Sequence, residues 1–70
     1  MEFHKVKSIM LPYETGVSLK FSVEPEDKLT QAVERMLLYN AKQIAVIKNS
    51  SVVGMIRLGD ALKKLGLESG

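Results

Sequence analysis

The sequence predicts an α/β domain of the α+β type, two layers deep: order β-α-β-β-α, a short N-terminal helical lead and a small mixed three-stranded sheet. Residues 17–23 alternate apolar and polar, the period-2 mark of a half-buried strand. Leu29, Ala32, Val33, Met36, Leu37 and Ala41 recur at helical spacing and form one apolar face. Two apolar runs rich in β-branched residues, 43–47 and 52–56, flank Lys48, Asn49, Ser50 and Ser51, which supply the turn of a hairpin.

Each element has its own local reason. Val6, Ile9, Met10 and Leu11 are spaced for one helical turn against a core, and Pro12 closes that turn. Tyr13, Glu14, Thr15 and Gly16 read as a loop. Residues 1–16 are therefore lead and loop, and 17–66 are the core of a single domain spanning 1–70. Pro25 stops the first strand. Asp27 reads as the N-cap of the following helix, and Glu26 beside it adds charge that the helix dipole favours. Gln31, Glu34, Arg35 and Tyr39 fall largely outside the apolar face, and Asn40 suits the helix end. Residues 58–65 close the chain as a short helix, with Lys63 and Lys64 near its C-terminus as a solvated end and Gly66 just beyond. A helix between the first two strands makes a parallel pair with a right-handed crossover the expectation.

Composition narrows the function. A chain of 70 residues buries only about 60% of its unfolded surface, so small folds lean on disulfides, metals or partner chains. There is no cysteine and one histidine, His4, so a second copy is the expected support. A formal charge of +2 is far from a nucleic-acid-binding stripe, and Phe3, Tyr13, Phe21 and Tyr39 suggest no stacking platform. The opening residues hold no apolar stretch of signal-peptide length and no run spans a bilayer, so the expected location is cytoplasmic. The lone histidine sits in the tail and no phosphate-cradling glycine loop is present, so no enzyme is expected.

Taken together, these residues resemble the cystathionine-β-synthase (CBS) domain. The pattern runs from Val23-Glu24-Pro25 at a strand end through Leu29, Ala32 and Met36 to Ile44-Ala45-Val46-Ile47. It continues with Val52-Val53-Gly54-Met55-Ile56 leading into Asp60-Ala61-Leu62, and Val6-Lys7-Ser8-Ile9-Met10 is similar to the segment that commonly precedes the first strand. The resemblance covers residues 6–66.

Such motifs work in pairs (a Bateman module), so one motif implies a homodimer, or a tetramer of such pairs, with helix faces carrying Met36, Leu37, Leu62 and Leu65 as the expected contact. The resemblance implies a regulatory module that senses an adenine nucleotide (AMP, ADP, ATP or an adenosyl compound) in the cleft between motifs. It requires no cofactor. Its partner would be an attached enzyme or transporter where the chain is part of a longer protein. Asp60 then accepts from the ribose diol, while Arg57 and Gly59 at the helix start meet the phosphate. Met55, Ser22, Ala41, Lys42, Gln43 and Ile44 border the adenine.

Two residues depart from the family pattern: Arg57 stands where a hydroxyl residue is usual, and Ala45 where proline is common. Both favour the alternative, a dimerisation or protein-interaction module without a small ligand. Plainer roles stand beside the sharp ones. Asp60 suits the first turn of any helix, and Arg57 suits a solvated strand end. Met10, Met36 and Met55 suit core or interface filling, and Gly54 and Gly59 suit close backbone approach.

Overall fold

The computed structural model describes residues 4–66, so the first three residues of the expected lead, Phe3 among them, and the last four of the expected domain lie outside the described residues. A 3-10 turn, Val6–Ile9, precedes β1 (Ser22–Val23), α1 (Leu29–Leu38), β2 (Gln43–Lys48), β3 (Ser51–Arg57) and α2 (Leu58–Lys64). β2 is the central strand. β1 lies parallel to it through Ser22↔Ala45 and Val23↔Val46, and β3 antiparallel from Gln43↔Arg57 to Lys48↔Ser51. The hairpin closes on Asn49 and Ser50, both with positive φ (51° and 67°), the two-residue turn whose twist matches its strands. A bulge opposite Val46 and Ile47 leaves Val53 as the extra residue of β3.

Strand alternation divides the apolar side chains between two faces. Ile44, Val46, Ile56 and Val23 join Leu29, Ala32, Val33 and Met36 of α1, Ala61 of α2 and Val6 of the lead in the main core. Ala45 and Met55, one residue out of phase, face the other way and form a second cluster with Val17. Leu11 and Tyr13 pack against that cluster, so a sheet expected to be covered on one face has the middle of its second face covered by its own N-terminal segment.

Hydrogen bonds hold that segment at both ends. The Val6 and Lys7 N–H groups donate to the Asp27 and Pro25 carbonyls at 2.9 and 3.0 Å, and the Leu29 N–H donates to the His4 carbonyl at 2.8 Å. Farther on, Leu11 and Met55 exchange both backbone bonds, at 2.8 and 2.9 Å, which adds one bridge along the outer edge of β3. Gly54 permits the approach: a Cβ there would lie 2.7 Å from the Leu11 carbonyl and 2.5 Å from Met10 Cγ. Lys5 and Lys7 also grip Glu26, at 2.8 and 2.7 Å. Their hydrogen bonds hold the Glu26 carboxyl down to about 2 from its ordinary 4.5.

Several expectations need correction. The strand expected over 17–23 is reduced to Ser22–Val23, because Val17 is drawn onto the second face while Phe21 packs against the main core. Leu19, between them, is exposed. Asp27 does not cap α1. Its carboxylate accepts from the Glu24 N–H at 2.8 Å and stabilises the preceding turn, so the N-cap position falls to Lys28, whose own N–H donates to Gln31 Oε1. Leu37 lies about 90° round the helix from the centre of the buried face and is 61% exposed, while Ala41 lies beyond the helix. Met36 is fully buried within its own chain, which removes it from any contact with a second copy. Leu62 and Leu65 are half-buried against the main core. Gly59 has open space where a Cβ would sit, so close packing does not explain it.

Gly54→Ala should lower unfolding stability by about 1–3 kcal/mol in urea titration, because the obstructing Leu11 carbonyl is backbone and cannot rotate aside. Since folding depresses the Glu26 pKa, that residue stabilises the fold above pH 4.5, and its contribution disappears as pH falls towards about 2. In the wild type minus Glu26→Gln difference, urea midpoints should therefore show a small loss over that interval, weaker in high salt because all three side chains are about half exposed.

Candidate functional site

The residues expected to border a ligand arrive from two directions. The first is the end of α1. Asn40 adopts a left-handed conformation (φ 55°) just past the C-cap, donating from its N–H to the Leu37 carbonyl at 3.2 Å. The Ala41 N–H reaches back to the Met36 carbonyl at 2.7 Å, and together these bonds make a Schellman ending. Asparagine tolerates this conformation better than most residues, and the reversal sends Ala41, Lys42 and Gln43 directly into β2. The second is the junction of β3 with α2, where strand becomes helix without a linker. Arg57 occupies the N-cap position with extended backbone and makes no side-chain cap, as expected of a guanidinium that can only donate. The first helical N–H, that of Leu58, donates instead to the Lys42 carbonyl at 2.9 Å.

That one bond joins the two routes. With Gln43 opposite Arg57 in the sheet, it brings Ala41, Lys42 and Gln43 to the same end of the molecule as Arg57, Gly59 and Asp60. Asp60 is half-buried in the first turn of α2, and Gly59 beside it faces open space. Ser22 and Met55 stand one row away on the second face, both registered with Ala45. Met55 is fully buried there under the N-terminal segment. Ile44 does not join them with its side chain, which lies in the main core beside its cross-strand partner Ile56.

Glu14 was invisible as a site residue. Its carboxylate sits 3.6 Å from the Arg57 guanidinium, with the two side chains 60% and 50% exposed. Nothing in its sequence neighbourhood signals this, because the placement depends on Leu11 bonding to Met55. The aromatic pair is a second surprise. Phe21 and Tyr39, read as forming no stacking platform, stack with centroids 4.5 Å apart and planes 9° from parallel. The parallel β1–β2 pairing sets the residue before β1 beside the last turn of α1, and Arg35 reinforces the join by donating to the Ser22 carbonyl at 3.0 Å. Lys20 completes a groove of about 340 Å³ there. A larger groove, about 420 Å³, is lined by Ser22, Val23, Glu24, Asp27, Arg35 and Ile47, on the carboxyl-end side of β1 and β2. Neither groove includes Arg57 or Asp60.

No protein-family model matches the sequence, and no curated protein does. Solved structures do match. The CBS domain of a CBS-domain-containing membrane protein from Sphaerobacter thermophilus superimposes with a TM-score of 0.63 at 27% identity, over 73% of this chain and 31% of that one. A candidate signal-transduction protein with CBS domains from Burkholderia ambifaria also gives 0.63, at 19% identity over 76% of this chain and 38% of its own. A CBS-domain-containing protein of unknown function from Kribbella flavida gives 0.60 at 19% identity, with the same coverage of both chains. This chain thus spans about a third of the length of the solved chains it matches. The architecture defines a CBS-type α+β fold, and the chain carries it as a single motif. No helix among the described residues is long and apolar enough to cross a membrane.

If the left-handed residue sets the path into this end of the sheet, Asn40→Ala should cost about 1 kcal/mol and Asn40→Gly should recover most of it, read from denaturant midpoints.

Proposed function

We propose that the chain is a regulatory, ligand-sensing CBS module that pairs with a second copy and takes an adenine nucleotide where the start of β2 meets the start of α2. The observation that carries this reading is the Leu58-to-Lys42 backbone bond, which with the Gln43–Arg57 register joins the start of α2, where Arg57, Gly59 and Asp60 follow one another closely in the chain, to the segment 41–43. Asp60 accepts two hydrogen bonds from a ribose diol, a demand that a carboxylate meets well. Arg57 offers a fork to a phosphate, and Gly59 leaves the helix start uncovered. Ser22 supplies the neighbouring row for the base, with Met55 in the same row beneath the N-terminal segment. The Burkholderia ambifaria protein with its signal-transduction description supports a regulatory role at the level of the fold. Regulation then follows from differential binding: a nucleotide that contacts two chains favours the arrangement in which both sets of contacts are made.

One observation favours the alternative, an interaction module without a small ligand. Leu37, Leu38 and Tyr39 succeed one another at the end of α1, 61%, 77% and 54% exposed, a run that a solitary domain gains nothing by displaying.

Thermal unfolding with AMP, ADP, ATP and S-adenosylmethionine separates the two. A nucleotide at about 100 times its dissociation constant should stabilise the fold by about 2.7 kcal/mol. In a domain of this size each kcal/mol raises the midpoint by roughly 4–8 °C. The shift should vanish in Asp60→Ala. An unchanged midpoint with all four at millimolar concentration, in a folded protein, would overturn the nucleotide reading and leave the interaction module standing.

A further inference from the structure

We propose that residues 12–17 act as a strap across the nucleotide end of the sheet, with Glu14 as the chain's own occupant of Arg57; the inference rests on the nucleotide reading above and names its regulation. Three features support it. Glu14 places a carboxylate 3.6 Å from the one guanidinium at that end, so a phosphate and Glu14 compete for the same donors. Tyr13 and Val17 cover Ala45 and Met55, the apolar floor beside which a base would lie, and the Tyr13 hydroxyl closes the loop by donating to the Val17 carbonyl. Gly16, at φ 105°, makes the reversal between them in a conformation that side-chain-bearing residues rarely adopt.

The strap is tied to the sheet by backbone bonds only at its ends, and its middle is exposed. Leu11 is bonded to β3, and β1 begins at Ser22, whereas Pro12, Glu14, Thr15 and Gly16 are all exposed. The span can therefore leave the sheet face without breaking any β2–β3 pairing. An ion pair between half-exposed side chains is weak, so the strap tunes affinity and does not seal the site. A nucleotide that displaces Glu14 frees the loop, and the freed loop is the signal that the rest of an assembly can read.

Calorimetric titration of AMP and adenosine into wild type, Glu14→Gln, Gly16→Ala and Asp60→Ala tests this. Removing the Glu14 charge should tighten AMP about two- to fivefold, the range expected of an exposed pair, and tighten adenosine by clearly less, because only AMP brings a phosphate to Arg57. Gly16→Ala strains the closed loop without touching Arg57, and it should tighten both ligands. In wild type, AMP should also speed hydrogen exchange at the amides of Glu14 to Val17. AMP affinity equal in wild type and Glu14→Gln, with Asp60→Ala still abolishing binding, overturns the strap and leaves the nucleotide site standing. Binding of neither ligand to any form overturns both.

Discussion

The approach of the N-terminal segment to β3 at Gly54 is the contact on which the rest of the arrangement depends. A side chain there would collide with the Leu11 carbonyl, and only its absence lets Leu11 and Met55 exchange their two backbone bonds. From that bridge the chain turns across the second face of the sheet, where Val17, Leu11 and Tyr13 bury Ala45 and Met55. A three-stranded sheet backed by two helices has one face to spare, and here the chain's own lead covers the middle of it. This eases the shortage of core that a 70-residue chain faces, so burial alone argues less strongly for a second copy than composition suggests.

The same path places charge. Glu14 comes to rest beside Arg57 because residues 11 and 17 are fixed on either side of it. Arg57 comes to rest beside Lys42 and Gln43 because β3 passes directly into α2 and the first helical N–H finds its acceptor on the neighbouring strand. An arginine in place of a hydroxyl residue cannot cap the helix, and the Lys42 carbonyl meets that need. The side chain is thereby left to an anion, either the chain's own carboxylate or one brought from solution. The substitution that weakens a family-based expectation of nucleotide binding is also the one that gives Glu14 its partner.

Much of the fold was legible because local signals agreed with tertiary ones. The 3.6-residue period of Leu29, Ala32, Val33 and Met36 gave the correct buried face of α1, and Asn49 with Ser50 formed the tight turn their chemistry suggests. The structure departs from the local pattern where the third dimension decides. Alternation from Val17 to Val23 is a sound strand pattern, yet β1 borders only two residues of β2, and Val17 gains more by covering Met55 than by extending an edge. Asp27 is a good capping residue beside a turn that needs the same carboxylate, and the turn takes it. Within the site, Asp60, Arg57 and the segment 41–43 could be grouped from the motif. Glu14 and the Phe21–Tyr39 stack depend on contacts between segments far apart in the chain, which no local pattern encodes.

In the proposed function, one end of the sheet, where β2 starts and α2 starts, receives the ligand. An amide chemical-shift titration of the folded protein with AMP tests it residue by residue. Saturable shifts are expected at Lys42, Gln43, Arg57, Gly59 and Asp60, with the loop at Glu14 to Val17 moving in step. Shifts confined to Lys20, Phe21 and Tyr39, or to the groove at Glu24, Asp27 and Arg35, would contradict it.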